Sequence, residues 1–188
     1  MHIVFGGSFN PPTNAHVKII KHLLSVFKGA KVIIVPVGDD YRKPELAPFK
    51  KRLDMLRIAL DGMEDVMISS IEADRGYEGT LQTLDDLSKH YDDLHFVIGS
   101  DNLLDLPNWI RYQELLSKYP FIVINREGYM TEQEGNERYK DLPHRFIFVD
   151  FNDRTAATHV RMNMRLNRHV VDPKVYDYIV KHHIYEVK

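Results

Sequence analysis

The chain of 188 residues contains no cysteine. That excludes disulfide staples, thiol nucleophiles and thiolate zinc sites, and it agrees with a reducing cytoplasm as the compartment. Apolar runs long enough to span a membrane, about 20 residues, are missing too, and no secretory h-region opens the sequence. A cytoplasmic protein without a membrane partner is the expectation. Charge of one sign is also lacking: 25 basic residues stand against 27 acidic ones for a net charge of −2. Bulk electrostatics therefore supply no drive toward nucleic acid, and phosphate binding has to be local. There is no internal repeat, low-complexity tract or long linker, so 44% hydrophobic content points to one domain over 1–188 with a sizeable core.

Apolar stretches at 2–5, 31–35, 66–71, 94–98, 121–124 and 146–149 read as strands. Helical periodicity separates them: from Val17 to Phe27, then over 50–61, 80–89, 112–118 and 131–139. Strands alternating with helices predict βαβ units, a doubly wound parallel sheet and a three-layer α/β/α architecture. In such sheets ligands bind beyond the carboxyl ends of the strands, near the point where strand order reverses. Gly6-Gly7, Gly99-Ser100 and the segment after Val149 all lie just past strand ends, so they can converge on one crevice.

The most informative stretch is Gly6-Gly7-Ser8-Phe9-Asn10-Pro11-Pro12-Thr13-Asn14-Ala15-His16, which joins a buried strand to an amphipathic helix. Glycines at the strand end let a ligand approach the backbone, and free N–H groups at the helix start attract anions such as phosphate. Thr13 suits the helix cap, which puts His16 at the third helical position. An imidazole there can donate to a phosphate oxygen as charge builds on it. Taken alone, a cap and a packed histidine explain the same pair.

This segment resembles the G-G-x-F-[DN]-P-x-[HT]-x-[GA]-H signature of the nucleotidyltransferase superfamily, most closely the nicotinate-nucleotide adenylyltransferases. Ile98-Gly99-Ser100-Asp101 with Leu106-Pro107-Asn108-Trp109 is similar to the family's I-G-x-D…L-P-x-W. Ile124-Asn125-Arg126-Glu127-Gly128 resembles V-x-R-P-G, and 171–179 ending at Ile184-Tyr185 is similar to the closing helix. The resemblance implies a Rossmann-like nucleotidyltransferase fold with C-terminal helices from about 155. It also implies transfer of AMP from ATP to nicotinate mononucleotide, giving deamido-NAD and pyrophosphate in NAD biosynthesis.

For the site, the resemblance implies His16, Thr13 and Arg161 as catalytic, with Gly6, Gly7, Ser8, Phe9, Asn10, Gly99, Asp101 and Thr158 binding ATP. Asp101 following a strand suits either a helix cap or a ribose hydroxyl. Lys43, Thr80 and Trp109 are the implied substrate-binding residues. Lys43 belongs to an irregular, substrate-facing loop over 38–51, read as mobile; Arg42, Lys43, Lys50, Lys51 and Arg52 form a basic group of five in eleven residues, which a solvated loop also explains. A helix start near Thr80 can offer N–H groups to a carboxylate, and the lone Trp109 can stack on a pyridine ring or serve as core.

Departures are Gln82, where the family's S-Y-T-x-D-T has aspartate, and Ala156 and Ala157, where I-S-[ST]-T-x-I-R has hydroxyls. Mg²⁺ is implied as the escort of ATP without a dedicated protein site. His182-His183 is not read as a metal pair, because neighbours on a helix point about 100° apart. ATP and nicotinate mononucleotide are the implied partners, and a homo-oligomer is compatible with the sequence. Phosphopantetheine adenylyltransferase, another adenylyltransferase of the same fold, and a non-catalytic nucleotide sensor are the rival readings.

Overall fold

The computed structural model describes residues 1–41, 43, 45–151 and 167–185. Among them, six strands form one sheet: β1 (His2–Gly7), β2 (Lys31–Pro36), β3 (Val66–Ile68), β4 (Leu94–Gly99), β5 (Phe121–Asn125) and β6 (Phe146–Asp150). All pairings are parallel, in the order β3-β2-β1-β4-β5-β6. The helices are α1 (Asn14–Val26), α2 (Phe49–Ala59), α3 (Ile71–Arg75), α4 (Thr80–Leu87), α5 (Tyr112–Lys118), α6 (Glu132–Arg138) and α7 (Pro173–Lys181).

The strands are apolar on both faces because both faces are covered. In β2, Ile33 and Val35 join a core with Leu81 and Leu84 of α4 and Leu115 and Leu116 of α5. Val32 and Ile34 alternate to the other side, against Ile19, Ile20 and Leu23 of α1 and Leu56 of α2. This two-residue alternation is the physical origin of the three layers. Strand order reverses between the neighbours β1 and β4, so the loops leaving their carboxyl ends diverge and open the crevice that doubly wound sheets use for ligands. A third apolar cluster sits apart from the sheet: Val175 and Ile179 of α7, with Val170, Val171 and Ile184, cover Met55 of α2 and Ala47.

Two expectations are corrected. The strand read over 66–71 stops at Ile68, its pairing with β2 ending at Ile34↔Ile68. Ser70 then turns the chain into α3, its carbonyl accepting from the Ala73 and Asp74 N–H groups and its hydroxyl donating to Asp74. His182 and His183 lie in the turn after α7 and not on a helix, with His182 Nδ1 3.1 Å from Lys51 Nζ. The start expected near 155 for the C-terminal helices lies outside the described residues, and α7 is the C-terminal helix within them.

Candidate active site

β1 ends in Gly6-Gly7, and a side chain at residue 7 would meet the Phe9 ring at 3.3 Å. Glycine there lets Phe9, held at φ 44° and buried, fold back beneath the loop. Its ring packs on His16 at 5.1 Å between centroids, and Phe5 flanks the same imidazole at 6.1 Å. The side chain of Phe9, expected at ATP, is thus spent as the floor of the histidine; only its backbone is left for a ligand.

Thr13 caps α1 and His16 occupies the third helical position. The pair forms a capping box in which imidazole takes the place usual for a carboxylate: the Thr13 N–H donates to His16 Nδ1 at 2.9 Å. The Thr13 hydroxyl also lies 2.8 Å from that nitrogen, and Thr13 is only 1% exposed. Since Nδ1 accepts an N–H, the neutral ring carries its proton on Nε2. That N–H has no hydrogen-bond partner among the described residues. Burial, then the positive charges of Arg126 and Lys43, push the His16 pKa down to about 4. A neutral imidazole donating through Nε2 at neutral pH follows from that geometry.

Lys43 Nζ donates to Ser8 Oγ at 3.0 Å, joining the basic loop to the glycine turn. Asn10, by contrast, is 3% exposed and works as a brace. Its Nδ2 donates to the Glu45 carbonyl, and its Oδ1 accepts from the Ala47 N–H at 3.0 Å. Arg52, counted in the sequence among the loop's basic residues, is fully buried. It donates to the carbonyls of Ala47 (2.7 Å) and Ser8 (3.0 Å) and to Asp39 Oδ1 (3.3 Å). Burial lowers its pKa while Asp39 opposes the shift. The 38–51 segment is therefore tied at several points, with α2 already starting at Phe49.

Across the strand-order switch, Gly99 ends β4. A Cβ there would fall 2.1 Å from Asp101 Oδ1 and 3.1 Å from Arg126 Nε, so glycine is what allows the Asp101–Arg126 pair to lie over the backbone. Arg126 Nη1 donates to Asp101 Oδ2 at 3.1 Å, and the Arg126 N–H donates to the buried Ser100 hydroxyl at 3.0 Å. The Asp101 carboxylate is accordingly engaged by arginine. At the ends of β5 and β6, Asn125 Nδ2 donates to Asp150 Oδ1 at 2.9 Å.

Trp109 is linked to the glycine turn through Phe96. Its ring touches the position a Gly6 side chain would take, at 3.4 Å, and meets Trp109 edge-on at 6.2 Å. Trp109 is half-buried, both a member of the core periphery and available at one side. Ile110, beside it, lies over Gly79, which precedes Thr80 at the start of α4. Thr80 is buried at the first position of α4. Gln82 donates along the helix to Asp86 at 3.2 Å, and Thr83 donates to the buried Glu72 at 2.8 Å.

Gly6, Gly7, Ser8, His16, Lys43, Gly99 and Asp101 are brought to one crest of the sheet. Thr158 and Arg161, with Ala156 and Ala157, lie outside the described residues. Arg126 has no role in the sequence motifs, although its place directly after β5 is a usable signal. Arg52 and Tyr185 carried no such signal, since their partners are remote in the chain. No group of three or more His, Asp or Glu among the described residues forms a metal cage.

The cytidylyltransferase-like family matches residues 4–171. A protein of Acholeplasma laidlawii named probable nicotinate-nucleotide adenylyltransferase is 34% identical over 99% of this chain and 98% of its own length. One of the same name from Caldicellulosiruptor saccharolyticus is 28% identical, with 97% of each chain covered. The Plasmodium falciparum nicotinic acid mononucleotide adenylyltransferase, solved in complex with APC and with NaAD, shares the fold at a TM-score of 0.79 and 20% identity, covering 100% of this chain and 98% of its own. Fold, signature residues and full-length similarity agree: the chain belongs to the nicotinate-nucleotide adenylyltransferase family of cytidylyltransferase-like proteins.

Proposed function

We propose that the protein transfers AMP from ATP to the 5′-phosphate of nicotinate mononucleotide, releasing pyrophosphate and forming deamido-NAD in NAD biosynthesis. One observation carries the reading: a neutral imidazole, its Nδ1 held by the Thr13 N–H and its Nε2–H unclaimed by the described residues, stands at the start of α1 within the field of Lys43 and Arg126. That is an anion site with a directed donor.

The reaction asks little covalent chemistry of the protein. An oxygen of the acceptor phosphate, already anionic, forms a bond to the α-phosphorus as the bond from that phosphorus to the bridging oxygen breaks, and the electron pair leaves on pyrophosphate. In-line positioning and charge neutralisation are what the chain supplies. His16 Nε2–H bonds an α-phosphate oxygen, and the glycine turn with the N–H groups of α1 cradles the phosphates. Thr13 is a positioning residue: it sets the tautomer and direction of His16 and its buried hydroxyl is already engaged. Lys43 attracts the mononucleotide phosphate from the rim. Arg126 adds positive potential from β5, and Asp101 is the ribose-side carboxylate that orients it.

Trp109 and the start of α4 at Thr80 frame the nicotinate end, ring against indole and carboxylate toward backbone N–H groups. Thr158 and Arg161 are assigned to the β- and γ-phosphates on the family motif. Mg²⁺ would come with ATP and would supply further charge neutralisation, and no His/Asp/Glu cluster among the described residues is built to hold it.

The test is pyrophosphate release with ATP and, in parallel, nicotinate mononucleotide, nicotinamide mononucleotide and phosphopantetheine. Turnover with the first is the expected result; turnover with phosphopantetheine alone, or with none, refutes the proposal. His16→Ala should lower kcat by about 10²–10³ while ATP affinity stays close to that of the parent. Unchanged turnover would remove His16 from the chemistry.

A further inference from the structure

The last described residue of the chain reaches back to the first turn. Tyr185 donates from its hydroxyl to Asn10 Oδ1 at 2.5 Å, the same oxygen that accepts the Ala47 N–H at 3.0 Å. Asn10 belongs to the glycine turn, and Ala47 to the loop that carries Lys43. One carboxamide thus joins three segments separated by up to 175 positions.

Tyr185 is held in place by more than this bond. The chain leaves α7 through His183 at φ 50° and Tyr185 itself at φ 62°, uncommon values for residues with side chains, which turn it toward the sheet. Behind it, Val175, Ile179 and Ile184 pack on Met55 and Ala47. Tyr178 donates to Asp54 Oδ2 at 2.7 Å, so α7 is anchored on α2. From α2, Arg52 grips the Ser8 and Ala47 carbonyls. The Lys43 loop is consequently pinned from its own side by Arg52 and from the C-terminal side by Tyr185, and Lys43 reaches Ser8 from that pinned frame.

We propose that Tyr185 is a positioning residue for the mononucleotide-phosphate site: through Asn10 it sets the distance between the glycine turn and the loop bearing Lys43. The inference rests on the adenylyltransferase reading for its substrate and on the Asn10 junction for its geometry. Tyr185 acts through Asn10 and the loop, so its effect appears in acceptor binding and not in the chemical step.

Tyr185→Phe keeps the ring and its packing while deleting the donor. The KM for nicotinate mononucleotide should rise about two- to tenfold, the range of one neutral hydrogen bond, with kcat and the KM for ATP within about twofold of the parent. In a Lys43→Ala background the same change should have no further effect on that KM, because Tyr185 acts through the loop. Hydrogen exchange at the Ala47 amide should speed up in Tyr185→Phe in step with the KM.

An unchanged acceptor KM in an active enzyme overturns the proposal, and so does a fall in Tm unaccompanied by a change in KM, which would leave Tyr185 a purely structural role. If the parent protein does not use nicotinate mononucleotide at all, the functional reading fails instead. The Ala47 exchange rate then decides the coupling by itself: a rate equal to that of the parent overturns it.

Discussion

Replacing His16 with glutamine separates the capping role of this side chain from its titration. Glutamine at the third helical position can accept the Thr13 N–H as Nδ1 does, so the start of α1 keeps its reciprocal bond. What disappears is a group whose pKa is pushed from the ordinary 6.5 down to about 4 on folding. Below pH 6.5 the unfolded chain binds a proton at residue 16 that the folded protein refuses, so the stability of the fold is complete above that pH and falls as pH drops toward 4. The loss attributable to His16 is about 2 kcal/mol at pH 5 and about 3 kcal/mol in the acid limit. For a chain of this length that corresponds to about 4–8 °C in Tm at pH 5.

Calorimetric Tm values of the parent and His16→Gln between pH 8 and 5 test this. The parent should lose about 4–8 °C more than the variant over that interval. A difference in Tm that stays constant with pH, or an NMR titration of His16 with a midpoint near 6.5, refutes the reasoning. So would a nitrogen spectrum showing the neutral ring protonated on Nδ1.

Arg52→Met should lower stability by about 2–4 kcal/mol, because the buried carbonyls of Ser8 and Ala47 lose their donor; thermal unfolding checks it, and a shift below about 2 °C would show these carbonyls to be otherwise satisfied. Gly99→Ala places a methyl group 2.1 Å from Asp101 Oδ1, so the Asp101–Arg126 pair must move. A fall in kcat/KM of about tenfold or more is expected from steady-state kinetics, from the sensitivity of phosphoryl-transfer positioning. Parent-like kinetics would take that pair out of the site. Trp109→Ala should raise the KM for nicotinate mononucleotide by about threefold to tenfold with little change for ATP, and an equal rise for both substrates would contradict stacking on the pyridine ring.

Most of the sheet was legible because its signal is local. Buried parallel strands such as Val32-Ile33-Ile34-Val35 read as continuous apolar runs, and the change of period between Phe5 and Val17 marks the passage from strand to helix. Where the reading failed, long-range pairing overrode local pattern. Apolar residues recur at Met67, Ile68 and Ile71 on either side of Ser69-Ser70, but β3 is an edge strand with one neighbour, and its pairing stops at Ile34↔Ile68, before β2 ends at Pro36. The 38–51 loop reads as mobile from its irregular length and its prolines. Its restraint comes from Asn10 and Arg52, whose side chains meet it only in three dimensions.

The same division runs through the site. Composition, the Gly6-to-His16 motif and helical spacing determined that a glycine turn precedes α1 with a histidine three places after its cap, because hydrogen bonding and side-chain direction within one turn of helix depend on near neighbours alone. Tertiary structure decided which nitrogen of His16 carries the proton, that Arg52 is buried, that Asp101 pairs with Arg126, and that Tyr185 closes on Asn10. Each depends on which strand ends stand side by side and on what excludes water there, and both arise from packing between segments far apart in the chain.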